Sequence, residues 1–583
     1  MLMLTWSICG DPLIDCTRDL YAAQQMANGR TLYHDLVYLF GPLAPCVLVV
    51  VFKMFGVSLA VAKTFNLILL TLFVAVVYRL LVRIADQLSA TIACAIFITT
   101  CAFAQLSPLR NYNFLTPYTN SATYGFEAGV FSVALICRYA RDRRVIWLAL
   151  AGGLTGLTFF TKPEIFAASL ATLCIGVMVS IWAHRLRAGK AILAIAWGAI
   201  GFLIAPMLLL IVLGASSGWS DAWSGATAGY RMAADPRLHS MRFELENMGF
   251  WRWRTNTKSM LEWACAYGWV LLPAMLVSLV LRGRSARYRV LALVLMAATA
   301  SILIEFQAKL EWNEVLIGLP VVILVILIVL LWQIVRGRRE EADISLNLSR
   351  FIFAVFSLMT LDRMILNTRI YHYGFVSAAC AMMLITIALV GWLPSILDRA
   401  GRCGDITRGV AIGMLIPIIW VYGSITFAVS TSQDLKIQAG FQGNGQTGEI
   451  LIAALNDLAA RAKPGDTLAA LPEACGINFM TNIPNPTPYE LLDPIGMIRA
   501  GGEEPVLHAY MSSPPTWIVL VHHDTGVLGF KYFGRDFAKN LLSWINANYE
   551  QVALFGAQPL EKNAFGIAVM KHRVVSADVA SGQ

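Results

Sequence analysis

Residues 11–45, DPLIDCTRDLYAAQQMANGRTLYHDLVYLFGPLAP, form the only long polar, acid-bearing segment ahead of the apolar stretches that dominate the chain up to residue 428. Asp15 opens a short helical pattern, and Gly29 stops it in the manner of a helix C-terminus. Leu32-Tyr33-His34-Asp35 follows, and Gly41-Pro42 and Pro45 then forbid continued regular structure. Three carboxylates, Asp15, Asp19 and Asp35, are therefore expected on a short helix and loop beside a membrane. A carboxylate in that setting is costly to desolvate unless it is paired or used.

Outward from this stretch the composition sets the class. Of 583 residues, 57% are hydrophobic and only 14% charged, against about 25% charged in soluble globular chains. The chain reads as a polytopic α-helical membrane protein of about 12 spans, at roughly 58–82, 89–106, 119–140, 145–160, 164–183, 191–213, 262–281, 287–305, 315–335, 348–362, 374–394 and 408–428. Arg138, Arg141, Arg143 and Arg144 follow the third span, and Arg185, Arg187 and Lys190 the fifth. Arg282, Arg287 and Arg289 follow the seventh, Arg336 the ninth, and Arg399, Arg402 and Arg408 the eleventh. The positive-inside rule makes these loops cytoplasmic and puts residues 11–45 and the tail outside. The net charge of +9 thus belongs to span ends, and no nucleic-acid partner is expected.

The opening MLMLTWSICG is too short to span and reads as the end of a transmembrane helix that begins upstream. Residues 1–57 are then an outer loop plus an interfacial piece (46–57, holding Lys53), residues 58–428 a membrane domain, and residues 429–583 a soluble α/β domain. In the tail, 447–462 has helical periodicity, Trp517–Val521 is a buried-strand signal, 537–549 an amphipathic helix and 565–570 a second short strand. Eleven cysteines are scattered without metal-ligand spacing, so neither zinc nor a disulfide framework is expected. Cys9, Cys16 and Cys475 are the ones that could be exposed.

Asp15, Arg18-Asp19-Leu20-Tyr21, Gly29, Leu32-Tyr33-x-Asp35 and Gly41-Pro42-Leu43-x-Pro45, followed by FKMFGVS, resemble the first outer loop of C-type (GT-C) glycosyltransferases. The likeness is to the bacterial protein O-mannosyltransferase and lipid A aminoarabinose transferase group. It continues in Asn113-Phe-Leu-Thr-Pro117-Tyr118, in Thr161-Lys162-Pro163-Glu164, from Arg363 to Phe375, and in the tail (LPEACGINFMTNIPNPTPYELLDP and WIVLVHHD). It implies a GT-C-like inner-membrane enzyme with a periplasmic tail domain, moving a sugar from a polyprenyl-phosphate donor to a glycan, lipid or protein acceptor. It also implies that the first-loop aspartate, here Asp15, activates the acceptor. A sugar on a lipid phosphate already carries a leaving group, so the needs are a base for the acceptor and cations for the departing phosphate. A single base attacking through the acceptor implies inversion, by analogy with glycosidases.

Each assignment has a structural alternative. Asp15 could be a helix N-cap bonding the amides of residues 16 to 18, and Arg18 with Asp19 a surface ion pair. Asp35 is the better second carboxylate, orienting substrate or sharing a metal; a divalent cation stays open and no metal ligand is assigned. The donor-binding candidates are Lys162 and Glu164, which could equally be a structural clamp, and Arg363, Arg369, His372 and Tyr373 as a forked donor set. For Arg363 a pair with Asp362 competes, and for Arg369 snorkelling. Tyr33 and Tyr118 join Arg18 and Asp19 as substrate-binding candidates through the resemblance. His522-His523-Asp524 is read as tail structure, because neighbours on a strand end face opposite ways.

Two other classes compete with the transferase. A transporter or flippase of lipid-linked sugars would show internally repeated, broken spans with mid-membrane charges, whereas the acids here gather in one loop. An inactive relative within an envelope complex is the third reading.

Overall fold

A backbone inside a bilayer has no water to bond, so apolar segments there must satisfy themselves as helices. The computed structural model describes residues 1–106, 112–283, 285–336, 341–372, 374–431, 436–437, 441–442, 445–561 and 564–573. Each of the twelve expected spans falls on a helix. Among the described residues eight helices are long and apolar enough to cross a membrane: Leu59–Ile84, Pro163–Ala183, Ala188–Ser217, Phe250–Val280, Ala286–Glu305, Trp312–Arg336, Phe375–Arg399 and Gly404–Thr431. This is a multi-pass membrane protein. The expected span at 145–160 is the 13-residue helix Ile146–Thr158, about 20 Å long against a hydrocarbon core of about 30 Å. Gln87–Ala102 is also short, its last turn being π-helical. Asn120–Asp142 has the length but buries Asn120, Thr123, Glu127 and Ser132 among its apolar residues. Glu341–Met359, at the expected tenth span, likewise falls outside the eight.

The contacts divide the chain into two compact units. The membrane unit comprises Met1–Trp6, Lys63–Ile211 and Glu244–Ser430. Its core is a continuous apolar cluster running through Phe73, Phe97, Phe126, Ile136, Ile352, Phe356 and Leu384. Lipid tails are as apolar as leucine, so helices in this setting associate through close packing of small residues. Helix Ile146–Thr158 does so through Gly152, where a Cβ would stand 2.2 Å from the carbonyl oxygen of Gly198 on the neighbouring helix.

The second unit is assembled from Ser7–Ala62, Val212–Phe243 and Thr431–Gln583. Residues 7–57, expected as a loop distinct from the tail, thus share a compact unit with it. A four-stranded sheet lies at its centre, in the order Leu468–Leu471, Trp517–Val521, Gly566–His572, Tyr549–Gly556. The first pair is parallel and the other two antiparallel. Helices Glu503–Ser512 and Lys539–Asn548 cover it, placing Val506, Tyr510, Leu541 and Ile545 against Leu471, Ile518 and Ala568. The two strands without a sequence signal are the all-buried Leu468–Leu471, too short to show alternation, and Tyr549–Gly556, which directly follows a helix. Helix Asp15–Ala27 ends as expected: the amides of Gly29 and Arg30 donate to the carbonyls of Met26 and Gln25, with Gly29 at φ 99°. At its other end Gly476 donates its N–H to Leu13 O at 2.8 Å, and a Cβ there would meet Pro12 O at 1.9 Å.

Gly152→Leu is expected to abolish recovery of monodisperse protein in detergent. Gly189→Leu, on the next helix where nothing lies within 4 Å, is expected to leave it unchanged. Equal recovery of both, by fluorescence-detected size exclusion, would sink this packing account.

Candidate active site

Helix Asp15–Ala27 begins where Asp11 ends the preceding extended chain: its Oδ1 accepts the amides of Leu13 and Ile14 at 3.1 and 3.2 Å. The N-cap is Ile14, so Asp15 is the first helical residue, not the cap. One turn later Arg18 comes level with it, as the i, i+3 spacing requires. The Arg18 Nη2 lies 3.2 Å from Asp15 Oδ1 and 3.2 Å from Glu473 Oε1, and its guanidinium sits 5.6 Å from the Phe40 ring centre. The Glu473 Oε2 is in turn 3.6 Å from His523 Nε2. Asp15 and Arg18 are both buried, so the expected surface pairing of Arg18 with Asp19 gives way to a buried pairing with Asp15 and Glu473. Asp19, fully buried, accepts from the Tyr38 hydroxyl at 2.5 Å.

Glu473 and His523 are members that the sequence reading missed. Glu473 sits 455 positions from Arg18, and nothing in the local pattern links them; His523 was set aside as tail structure. Cys9, Cys16 and Cys475 are buried, whereas Cys174 and Cys265 are the exposed ones.

Carboxyls outnumber cations in this buried region. Burial, reinforced by Asp493, pushes the Glu473 carboxyl well up against the pull of Arg18. Burial also raises Asp11 and Asp493 against the amide bonds they accept, and lowers His523. Glu490 rises to about 8 through burial, opposed by Arg30 and Arg18, and its Oε1 has no hydrogen-bond partner. The physical consequence is a buried group of carboxyls pushed toward their neutral forms beside the Arg18–Asp15 pair, with Glu490 the one raised to about 8.

Asp35 is committed elsewhere. Its Oδ2 accepts the amide and hydroxyl of Thr31 at 2.7 and 2.8 Å, and the amide bond holds its carboxyl below the usual range. Tyr33, at φ 71°, donates its hydroxyl to Phe40 O at 3.0 Å. Among the described residues no three His, Cys, Asp or Glu side chains are grouped to hold a metal.

In the membrane unit, Lys162 precedes Pro163, which starts the helix at a position that has no need of an amide donor. The Lys162 Nζ lies 3.5 Å from Glu164 Oε1 and 5.1 Å from the Tyr118 ring centre. These three residues line a small cavity together with Arg363 and Gly374. Arg363 pairs with Glu244 at 2.7 Å rather than with Asp362, whose Oδ1 takes the Arg363 backbone amide. Arg369 does not snorkel: its Nη2 is 2.7 Å from Glu314 Oε1. His372 leaves the forked cation set, because both ring nitrogens bond backbone. Its Nδ1 accepts from Gly374 N and its Nε2 faces Asn247 O, each at 2.9 Å, while burial drops it to about 4 and keeps it neutral. Tyr373 lies outside the described residues.

Next along the chain from Arg369 and Glu314, Ile370 and Val315 line an almost wholly apolar cavity of about 220 Å³ with Trp263, Tyr267, Trp312 and Met414. The arrangement pairs an arginine with an apolar volume, the two things a lipid phosphate needs.

No protein-family model and no curated protein matches the chain. Among solved structures it is similar to the Archaeoglobus fulgidus oligosaccharyltransferase in complex with zinc and sulfate, at 13% identity and a TM-score of 0.43, over 87% of this chain and 64% of that one. The chain therefore spans less than two thirds of the length of that protein. It is also similar to ArnT from Cupriavidus metallidurans, at 10% identity over 97% of this chain and 96% of that one, with TM-scores of 0.38 for the apo state and 0.36 for the complex with undecaprenyl phosphate. Both are GT-C glycosyltransferases.

Glu490→Gln tests this group of raised carboxyls. With a folded value of about 8 against the ordinary 4.5 of a free glutamate, Glu490 stabilises the fold below pH 4.5 and loses that contribution as pH rises through 8. The variant is expected to flatten the fall of thermal stability across this window by up to about 1.4 kcal/mol per pH unit. An unchanged pH profile of Tm would remove Glu490 from the group.

Proposed function

We propose that the protein is a membrane glycosyltransferase that moves a sugar from a polyprenyl-phosphate donor to a cell-envelope acceptor at the periplasmic face, with inversion. The observation that carries this reading is Asp15. It is a buried carboxylate in the first turn of a helix, held by Arg18 and accompanied by carboxyls that burial raises. Arg18 is shared with Glu473, whose carboxyl burial pushes up against the pull of that guanidinium. Asp15 then takes the acceptor proton as the acceptor oxygen attacks the anomeric carbon. The bond to the lipid phosphate breaks, and the electron pair leaves on the phosphate oxygen. Asp35 keeps a supporting role through the shape of the Thr31–Asp35 loop, not as a second base.

In the membrane unit, Arg369 and Lys162 are the cations proposed to meet the donor phosphate, with Tyr118 and Glu164 orienting Lys162. Arg363 lines the same small cavity as Lys162. The cavity lined by Trp263, Tyr267 and Trp312 is proposed to take part of the isoprenoid chain. A phosphate there would compete with the Glu314 carboxylate for the Arg369 fork.

Asp15→Asn, which keeps the shape and loses the base, is expected to lower transfer from radiolabelled polyprenyl-phosphate sugars by about 10²- to 10⁴-fold. The comparison is made in membranes holding equal amounts of folded protein. Transfer at the wild-type rate would dismiss Asp15 as the base. Arg369→Gln is expected to raise KM for the donor by about 10- to 100-fold, the worth of a charge-assisted bond, and to leave KM for the acceptor alone. A change confined to the acceptor would place Arg369 outside the donor site.

A further inference from the structure

A third cavity lies wholly within the unit that carries the sheet. It has a volume of about 400 Å³ and is walled by Tyr33, Asp221, Arg231, Asp235, Arg237 and Arg499, with apolar residues between them. Pockets of this size hold small molecules.

Its charges do not cancel. Arg237 is bonded to Asp235 through Nε at 3.1 Å and Nη2 at 2.7 Å, so that pair is neutral. Asp221 is 3.0 Å from His34 Nδ1, and the bond raises the imidazole. Arg231 and Arg499 remain. Among the described residues neither has a carboxylate within ion-pair reach. Arg231 donates to the carbonyl and hydroxyl oxygens of Ser224, both neutral acceptors. Arg499 donates Nη2 to the carbonyl of Tyr38, while its Nη1 is out of solvent and has no partner. Burial brings the Arg499 guanidinium down to about 10, and Arg231 pushes it the same way, so the two cations act on one another across the wall.

A half-buried guanidinium with one arm unsatisfied and a second guanidinium nearby is an expensive arrangement. Nearby like charges repel, and each retains a fork suited to oxyanions. The sequence keeps both arginines where leucine or methionine would fill the wall at lower electrostatic cost. An anion in the cavity turns the repulsion into attraction, and one bearing two charges matches two guanidiniums.

We propose that this cavity binds a phosphomonoester group, held between Arg231 and Arg499. Tyr33 and the neutral Arg237–Asp235 pair form the remainder of the wall, around whatever the phosphate carries. Neither Asp15 nor Lys162 takes part, so the proposal stands or falls separately from the transfer reaction. The phosphate could belong to a soluble molecule or to a lipid headgroup, and the two sources are separable.

The test uses the full chain in nanodiscs, read by thermal unfolding at constant ionic strength. Replacing chloride by inorganic phosphate in phosphatidylcholine discs is expected to raise Tm by several degrees, because a ligand of the folded state stabilises it. Arg231→Gln, a change at an exposed side chain, is expected to abolish the shift, and Arg499→Lys to reduce it. Discs containing phosphatidic acid form the second arm. Protection there that Arg231→Gln removes, without protection by free phosphate, assigns the site to a lipid headgroup. Protection by free phosphate alone assigns it to a soluble ligand. A wild-type Tm indifferent to both, or a shift that survives in both variants, would overturn the proposal. Should Arg499→Lys fail to fold, Arg231→Gln decides.

Discussion

One buried guanidinium holds together parts of the chain that the sequence keeps far apart. Arg18 reaches Asp15 one turn back on its own helix and Glu473 from the C-terminal region. All three side chains are nearly out of water, where removing one partner of an ion pair costs about 3–5 kcal/mol. That cost is a constraint on more than a site. It requires helix Asp15–Ala27 to lie against the segment around Glu473, and Gly476 allows the approach by having no side chain to intrude on Pro12. The first polar stretch and the tail therefore form one unit, although most of the membrane unit's sequence lies between them.

The same desolvation that makes the pairing strong also raises the surplus carboxyls. Glu473, Asp11 and Asp493 are all pushed up by burial, and Glu490 to about 8, with Arg18 and Arg30 the cations that oppose the rise. Neutralising some of them is the cheaper outcome. The membrane unit solves a comparable problem differently. Three of its cations sit against carboxylates, Lys162 with Glu164, Arg363 with Glu244 and Arg369 with Glu314, and His372 is kept uncharged against backbone. These three sites are locally balanced, while the buried region around Asp15 holds more carboxyls than cations.

Much of the architecture was legible in the residues. Helical spans follow from apolar run length, because a bilayer gives a bare backbone no alternative; all twelve expected segments are helices. Where the pattern misjudged them, the reason is physical: Ile146–Thr158 is short, and Asn120–Asp142 buries a polar face that hydropathy alone treats as a defect. Helix Asp15–Ala27 and its glycine stop were readable from local chemistry, as were Trp517–Val521 and the final strand. Leu468–Leu471 was not, since four buried residues carry no period. The candidate site was legible only in part. Asp15 stood out, but its N-cap alternative fails locally, because the helix starts one residue earlier than that reading needs and Ile14 is the cap, while the bonding of Arg18 and of His372 depends on partners distant in sequence, Glu473 and Asn247.

The sequence by itself determined that the chain spans a membrane, where its helices run, and that the first polar stretch concentrates acids that need compensation. Those are consequences of transfer free energy and backbone hydrogen bonding, which act on each segment separately. Tertiary structure alone decided which ionic groups meet: Arg18 with Glu473, Arg363 with Glu244 and Arg369 with Glu314, and, on the wall of one cavity, Arg231 and Arg499 with no carboxylate in ion-pair reach among the described residues. Ion pairing is short-ranged and buried groups are rigid, so the partner is whichever residue the fold brings within about 3 Å.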